Sequence, residues 1–334
     1  MKKLINDPNR VAAEVVEGLV LAFPHLIRQV GDYQAVVRAD APIRGRVAIL
    51  TGGGSGHEPM FLGYVGSGMA TASVAGNIFT SPPPIPIYET AKAAHGGAGV
   101  LFLYGNYAGD VLNFDAAAEM LTDEGIEVAS VQVTDDLASA PSDRSNERRG
   151  VAGDFFVFKI AGACAEEGGN LAEVTAAARH ANANTHSMGV ALSSCIIPAS
   201  GKPIFELGEP EIEIGMGIHG ERGVYRSNMM PADELAAELV KRILDDSSVK
   251  AGDEASVLIN GFGATPTCEL YVVSRAVSRL LAGAKIAVCR TYVGNYATSL
   301  DMAGISITLM KLDAELRRYL LAPVETPAFV QVRR

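Results

Sequence analysis

A glycine-rich segment that ends in a histidine is the first place where this sequence could bind a ligand. It follows an apolar run at 47–50, and its candidate binding residues are Gly53, Gly54, Ser55, Gly56 and His57. Glycines let backbone N–H groups approach a ligand closely. The lysine of a phosphate loop is missing, and so is the acid that a dinucleotide-binding fold carries about 20 residues later. The segment predicts either a tight turn or, as we favour, a loop that binds an uncharged or hydroxyl-bearing ligand through backbone amides and one imidazole.

Asp110 and His219 are the other candidates for chemistry. Asp110 ends the segment GNYAGD after an apolar run at 100–104, and it is either the N-cap of a helix or a general base. His219 lies between glycines in GMGIHGE, a setting that a core histidine would not need. No HxH or HxxxH spacing accompanies it, which argues against a metal site. An imidazole in such a turn can act as an acid, a base or a nucleophile.

Apolar runs alternate with helical patterns along the chain. Several runs lack polar alternation, which is typical of strands buried on both faces. The predicted strands are 47–50, 100–104, 128–133, 189–197, 256–260, 286–289 and 305–310. Helices are predicted at 110–125 and at 231–246, and the proline-rich stretch 81–88 is predicted to be a stiff loop. The alternation predicts an α/β fold class, with two α/β domains and mixed, largely parallel sheets.

The boundary between the two domains is predicted in the polar stretch 178–187. We expect an N-terminal α/β domain at 1–184 that carries the glycine-rich segment and Asp110. A C-terminal α/β domain at 185–334 would carry His219. In α/β sheets, ligands bind at the carboxyl ends of the strands, which is where the glycine-rich segment and Asp110 are expected.

Composition and charge argue against several classes of partner. The net charge is −10 and the isoelectric point is about 5.2, whereas nucleic acids and anionic membranes favour clustered Lys and Arg. No apolar run approaches the ~18 residues of a membrane helix. Charged residues interrupt the start of the chain, so no export signal is expected. The four cysteines lie in apolar neighbourhoods without a CxxC pair, which predicts buried thiols and a cytoplasmic location.

Longer motifs distributed over the whole chain are more specific than any single residue. They read GGGSGHEPM, IFTSP, NYAGDVLNF, RRGVAG, SMGVALSSC, GMGIHGE, GATPTCELY and TSLDMAGISITLMKLD. These motifs resemble the dihydroxyacetone kinase family, and more narrowly its ketose-binding K subunit. The resemblance implies that Gly53 to His57 bind substrate hydroxyl groups and that His57 donates a hydrogen bond. It implies that Asp110 activates the hydroxyl to be phosphorylated, and that His219 attacks the C2 carbonyl and forms a hemiaminal.

The same resemblance implies that the phosphoryl donor binds to another protein. The chain has no Walker motif, no kinase signature and no acidic cluster for Mg²⁺. In the family, ADP or ATP with Mg²⁺ belongs to a separate nucleotide-binding L subunit or domain, so neither a cofactor nor a metal is expected on this chain. The length leaves too little room for a fused nucleotide domain, which predicts a kinase subunit that is active with a partner. A homodimer is also implied.

One departure from the family pattern concerns the substrate. A lysine is usual in the family where this chain has Gly105. The missing side chain would leave room for a larger ketose such as erythrulose or apulose, unless Gly105 relaxes a turn and Arg222 or Tyr225 fills the space. Dihydroxyacetone is the first expectation. The family also contains non-catalytic paralogues that sense a ketose and co-regulate transcription, but the presence of all three candidate catalytic residues favours a kinase subunit.

Overall fold

The computed structural model describes residues 2–332, in which helices and strands alternate. The α-helices are α1 (Val11–Ala22), α2 (Pro84–Ala94), α3 (Ala108–Asp123), α4 (Asp154–Glu166), α5 (Leu171–Ala183), α6 (Ala232–Asp246), α7 (Thr267–Gly283) and α8 (Ala314–Leu320). The strands are β1 (Ile27–Gln29), β2 (Ala35–Arg38), β3 (Ala48–Ser55), β4 (Ala72–Ile78), β5 (Val100–Gly105), β6 (Val128–Val133), β7 (Thr185–Ser193), β8 (Glu211–Ile214), β9 (Tyr225–Asn228), β10 (Glu254–Gly261), β11 (Ala287–Gly294), β12 (Ala303–Leu312), β13 (Val324–Glu325) and β14 (Val330–Gln331).

Two compact units divide the described chain. The first unit consists of residues 2–133, 154–181 and 318–332. The second unit consists of residues 134–153 and 182–317. Each unit contains one six-stranded sheet, and β13 and β14 form a further two-stranded sheet. Each unit is assembled from separate stretches of chain, whereas the sequence predicted two consecutive domains. The predicted boundary between residues 184 and 185 stays a prediction.

The sheet of the first unit has the strand order β1-β2-β4-β3-β5-β6. The pairs β3/β4, β3/β5 and β5/β6 are parallel, whereas β1/β2 and β2/β4 are antiparallel. Every residue of β3 and β5 is buried, as expected for strands covered on both faces. Helices α2 and α3 pack on this sheet in a shared apolar core, and α4 contacts β3 and β5. All residues of α4 before Glu166 are buried, which its apolar composition allows.

The sheet of the second unit has the strand order β11-β10-β12-β7-β8-β9. The pair β10/β11 is parallel and the other four pairs are antiparallel. The expectation of largely parallel sheets therefore holds in the first unit and is wrong in the second. The connections between strands explain the difference, because parallel strands need a long crossover connection. In the second unit β8 and β9 form a hairpin, and no helix lies between β11 and β12 in the described chain, so these connections give antiparallel strands. Helices α6 and α7 contribute to the apolar core of this unit.

The mixed α/β fold class is confirmed, and all seven predicted strands are present, although β7 begins earlier than predicted. The two predicted helices correspond to α3 and α6. The stiff loop predicted at 81–88 is wrong, because α2 begins at Pro84. Proline fits the first turn of a helix, where its missing N–H group has no intrahelical acceptor. The cysteines are buried at Cys164 and Cys195, but Cys268 is exposed, against expectation. No helix in residues 2–332 is long and apolar enough to cross a membrane.

Candidate functional site

The glycine-rich segment forms the end of strand β3 as far as Ser55, and the chain turns at Gly56. Gly52, Gly53 and Gly54 lie in the parallel ladder with β4. A Cβ atom on Gly53 would lie 2.4 Å from two ring carbons of Phe61. On Gly54 it would lie 2.7 Å from the backbone nitrogen of Thr80. Successive strand residues face opposite sides of a sheet, so close neighbours occupy both faces. Packing therefore requires glycine at this end of β3, whatever ligand binds there.

Strands β3 and β5 extend beyond their shared ladder at the end where this segment lies. The ladder joins residues 48–51 of β3 to residues 100–103 of β5, whereas β3 continues to Ser55 and β5 to Gly105. The next strand in the chain after β3, β4, lies on one side of it, and β5 lies on the other side. Such a reversal of strand order is the place where open α/β sheets bind ligands, at the carboxyl ends of the strands. The candidate binding residues border this place.

The imidazole of His57 is packed against two phenylalanine rings. It stacks on Phe79 with a centroid distance of 4.9 Å and an interplanar angle of 19°, and it meets Phe61 edge-on at 6.5 Å. The backbone N–H of Phe79 donates to the carbonyl oxygen of Ser55 at 2.9 Å. Phe79 has φ of +56°, which is uncommon for a residue with a side chain. With 1% of its surface exposed, His57 is held in one orientation at the end of β3.

Ser55, Gly56 and Glu58 stabilise the turn that follows β3. The Ser55 hydroxyl donates to the carbonyl oxygen of Gly76 at 2.7 Å. Gly56 has φ of +100°, and its N–H donates to the two carboxylate oxygens of Glu58 at 3.1 and 3.0 Å. Burial raises the pKa of Glu58, although its hydrogen bonds to backbone N–H groups act in the opposite direction. Ser55 and Gly56 thus serve the turn, and their predicted contact with a substrate stays a prediction.

Asp110 lies in the first turn of α3, just beyond the carboxyl end of β5. The helix begins at Ala108 and Tyr107 holds the N-cap position, so the N-cap interpretation of Asp110 is wrong. Its residue is 8% exposed, and a carboxylate in the first turn is stabilised by the helix N-terminus by typically 0.3–1 kcal/mol. Gly105 is the last residue of β5 and pairs with Val133. Because Gly105 is a strand residue, relaxation of a turn does not explain it.

His219 lies in the loop that joins β8 to β9 in the second unit. Its Nδ1 atom is 2.9 Å from Oε1 of Glu221, and its backbone N–H donates to Oε2 of the same carboxylate at 3.0 Å. An ionised carboxylate only accepts hydrogen bonds, so a neutral imidazole in this contact carries its proton on Nδ1. The lone pair is then on Nε2, and the side chain is 23% exposed. This arrangement suits a base or a nucleophile.

Charged neighbours keep Glu221 ionised beside His219. Burial alone would raise the pKa of Glu221, but the hydrogen bond with His219, the charge that His219 carries when it is protonated, and the charge of Arg149 lower it to about 2. Nη1 of Arg149 is 3.7 Å from Oε2 of Glu221, and its Nη2 is 2.8 Å from Oδ2 of Asp136. Burial raises the pKa of Asp136 to about 6, against the effect of Arg149. A chain of charged groups thus leads from Asp136 to the histidine.

The candidate residues fall into the two units. The first unit contains Gly53, Gly54, Ser55, Gly56, His57, Gly105 and Asp110, all at the carboxyl ends of β3 and β5 or just after them. The second unit contains His219. Sequence reasoning missed Phe79, which is distant in the chain from His57, and it gave Glu221 no role although GIHGE contains it. An acid two residues from a histidine in a glycine-rich loop was the available signal.

A comparison with protein families matches residues 17–328 to the Dak1 domain. The chain belongs to the Dak1 domain family. This membership confirms the resemblance that the sequence motifs carried. Among residues 2–332 of this Dak1 chain, no group of three or more His, Cys, Asp and Glu side chains is arranged to hold a metal ion.

Two named relatives and one solved structure resemble this Dak1 chain over nearly its whole length. It is 48% identical over 330 residues to the Listeria innocua protein named PTS-dependent dihydroxyacetone kinase 2, dihydroxyacetone-binding subunit DhaK, covering 98% of this chain and 99% of that protein. It is 47% identical over 329 residues to D-erythrulose kinase of Mycolicibacterium smegmatis, covering 98% of this chain and 56% of the relative. The solved structure of the dihydroxyacetone kinase operon co-activator Dha-DhaQ has a TM-score of 0.89 at 33% identity, covering 96% of this chain and 98% of the co-activator.

Proposed function

We propose that this chain is the ketose-binding subunit of a dihydroxyacetone kinase. It captures a small ketone covalently through His219 and presents a terminal hydroxyl group for phosphorylation by a separate nucleotide-binding L subunit. The observation that carries the proposal is the 2.9 Å contact between Nδ1 of His219 and Glu221, because it favours the tautomer with the proton on Nδ1 and the lone pair on Nε2. The name of the 48% identical Listeria relative supports the same class of substrate and the same division into subunits.

Covalent capture solves the problem of binding a very small substrate. Non-covalent affinity is bounded near ~1.5 kcal/mol per heavy atom, and a three-carbon ketone has few atoms. In the proposed step, the Nε2 lone pair of His219 forms a bond to the carbonyl carbon and the C=O π electrons move to oxygen. The imidazole loses its Nδ1 proton and the alkoxide gains one, so no net proton is consumed. Glycerol has no carbonyl group and cannot be captured, which gives selectivity for ketones.

Phosphoryl transfer needs a base for the hydroxyl group and a bound donor. We assign the base to Asp110, whose carboxylate lies in the first turn of α3. The hydroxyl oxygen would attack the terminal phosphorus of the donor, its proton would go to Asp110, and the donor would leave without its terminal phosphoryl group. Positioning and charge stabilisation dominate such reactions. The donor is assigned to the L subunit, as ATP with Mg²⁺ that exchanges with solution or as a bound ADP that a phosphotransferase relay phosphorylates before each transfer.

Dihydroxyacetone is the proposed substrate, with a larger ketose as the second candidate. The name D-erythrulose kinase, carried by the 47% identical relative, favours a four-carbon ketose. Gly105 favours it as well, since this strand residue has no side chain at the carboxyl end of β5. Tyr225 was a candidate to fill the space of the lysine found in other family members. Its hydroxyl donates to Glu238 at 3.0 Å and Arg242 lies over its ring, so it is engaged within the second unit.

A non-catalytic ketose sensor is the alternative from a different class. The operon co-activator, at 33% identity, shares the fold, so this architecture is compatible with a sensor. The sensor would bind a ketose and would show no turnover with any L subunit and donor. The kinase subunit would show turnover that requires the L subunit.

We also propose that the chain forms a homodimer. Strand β11 is at the edge of its sheet and exposes Ala287, Val288 and Thr291, and such edges pair readily with other chains. Analytical ultracentrifugation should show a dimer for the wild type. A wild type that sediments as a monomer contradicts the dimer without affecting the assignment of the ketose site.

Native mass spectrometry of the purified chain with dihydroxyacetone tests the proposed function. A hemiaminal adds the full mass of the ketone, whereas an imine on a lysine would add that mass less one water. We expect the full-mass adduct in the wild type and its loss in His219→Ala. An adduct of equal abundance in both proteins, or a loss of water in the wild-type adduct, would contradict the role of His219.

A further inference from the structure

The His219 loop is tied to a second loop of the same unit through one arginine. The backbone of Arg149 makes two hydrogen bonds: its N–H donates to Ser139 Oγ at 3.0 Å, and its carbonyl oxygen accepts from the N–H of Asp136 at 3.0 Å. Its guanidinium contacts Oδ2 of Asp136 through Nε at 3.0 Å and through Nη2 at 2.8 Å. The Asp136 side chain is 4% exposed and that of Arg149 is 15% exposed. These contacts fix the position of the Arg149 guanidinium independently of Glu221.

From this position Arg149 reaches the carboxylate that contacts His219. Nη1 of Arg149 is 3.7 Å from Oε2 of Glu221, and the same oxygen accepts the backbone N–H of His219 at 3.0 Å. The other carboxylate oxygen faces Nδ1 of His219. Arg149 and His219 thus contact the carboxylate of Glu221 from two sides, and both contacts stabilise its ionised form.

Gly217 leaves the space in which these groups meet. A Cβ atom at this position would lie 2.2 Å from Oε2 of Glu221 and 2.8 Å from Nη1 of Arg149. To restore a contact of about 3.5 Å, the carboxylate oxygen would have to move by about 1.3 Å and the guanidinium nitrogen by about 0.7 Å. The glycine in GMGIHGE therefore permits the contact between Arg149 and Glu221.

We propose that Arg149, supported by Asp136, is a positioning residue for His219. It acts by holding Glu221 where the carboxylate accepts a hydrogen bond from the Nδ1–H group of the imidazole. Gly217 makes the geometry possible. This inference rests on the proposed function, because the tautomer matters for capture of a ketone by Nε2. Arg149 does not take part in bond formation, and its effect reaches the substrate through Glu221 and His219.

Histidine tautomers report on this network without any substrate. We would label the six histidines with ¹⁵N and record ring-nitrogen shifts at about pH 8.5, well above the ordinary histidine pKa of ~6.5. His219→Ala identifies the His219 signals. In the wild type, we expect one neutral tautomer with the proton on Nδ1. In Arg149→Gln and in Gly217→Ala, we expect a mixture of both tautomers, and Arg149→Lys should restore part of the wild-type signal.

The matched control is Arg226→Gln, which removes an arginine contact to Glu213 from the strands that flank the same loop. It should leave the His219 tautomer unchanged. Wild-type tautomer signals in both Arg149→Gln and Gly217→Ala would overturn the proposal. So would a tautomer change of equal size in Arg226→Gln, because that result indicates a general loosening of the loop. Should Arg149→Gln fail to fold, Gly217→Ala and Arg149→Lys decide the same question.

A second measurement connects the network to the ketone. The equilibrium constant for the dihydroxyacetone adduct should fall roughly 10- to 100-fold in Arg149→Gln, as is found when residues that orient a metal-binding histidine are replaced. It should stay at the wild-type value in Arg226→Gln. An unchanged adduct constant in Arg149→Gln overturns the proposal. Absence of an adduct in the wild type contradicts the proposed function instead, and the tautomer measurement then decides the positioning role by itself.

Discussion

Gly53→Ala tests whether packing at the end of β3 controls His57. The new methyl carbon would lie 2.4 Å from two ring carbons of Phe61, closer than real Cβ atoms approach other atoms. The ring has little freedom to move, because it packs on Phe158 with a centroid distance of 6.2 Å and meets His57 edge-on at 6.5 Å. Phe61 must shift by about 1 Å to regain a normal carbon contact of 3.5–4.0 Å, and such a shift disturbs His57.

The expected effect of Gly53→Ala on stability follows from overpacking. An extra carbon in a packed core costs typically 1–3 kcal/mol. One kcal/mol lowers the melting temperature by about 2–4 °C in domains of 150–250 residues, so we expect a decrease of about 2–12 °C. If displaced His57 loses one hydrogen bond to the ketose, the affinity should also fall by ~1 kcal/mol, or about fivefold.

Scanning calorimetry and ketose titration of Gly53→Ala provide the assay, with two further variants. Gly18→Ala is the control, because a Cβ there has no neighbour within 4 Å and should stabilise α1 by up to ~1 kcal/mol. Phe61→Leu removes the ring, so the double variant should be more stable than the sum of the single effects predicts. A Gly53→Ala protein with the melting temperature and ketose affinity of the wild type would refute the reasoning.

Three other substitutions test separate residues. Asp110→Asn should reduce turnover in the presence of the L subunit roughly 10²- to 10⁴-fold while the ketone adduct persists, and a joint loss of both contradicts the base assignment. Gly105→Lys should shift kcat/KM from erythrulose towards dihydroxyacetone, but a wild type that prefers dihydroxyacetone tenfold, ~1.4 kcal/mol, rules out the larger substrate. Glu221 has its pKa lowered from 4.5 to about 2, so its stabilising effect is complete above pH 4.5 and is lost towards pH 2. In urea unfolding between pH 7 and pH 3.5, the stability difference between wild type and Glu221→Gln should therefore shrink below pH 4.5, and a difference that grows there contradicts this sign.

The strands were predictable because apolar runs need burial wherever the chain goes, but the end of β3 was not. Glycine is disfavoured in strands and common in turns, so the local sequence argues for a turn after residue 50. Tertiary contacts decide otherwise, because the ring of Phe61 and the backbone at Thr80 occupy the space that side chains on β3 would need. The same limit applies to α2, where two prolines in its first turn look like a loop until the helix position is known.

The candidate residues could be named from the sequence because glycine-flanked histidines are unusual, but their partners could not. The stacking of Phe79 on His57 depends on a residue with positive φ in a segment that follows another strand. The contact of Glu221 with His219 depends on the path of a loop with no regular period. Arg149 lies far from both residues in the chain, and no pattern in the sequence relates it to them. Contacts of this kind are determined by the folded chain as a whole.

Capture of a ketone and its phosphorylation make different demands on this fold. Capture needs the His219 tautomer that has its lone pair on Nε2, and the contact of Glu221 with Nδ1 favours this tautomer. Transfer needs, in addition, a carboxylate that takes the hydroxyl proton, and Asp110 is the proposed group. A chain with the same fold can therefore lose transfer and keep ligand binding, which is consistent with a kinase subunit and a co-activator sharing one architecture. The fold does not distinguish the two functions. Asp110, buried in the first turn of α3, is the residue on which the kinase assignment depends.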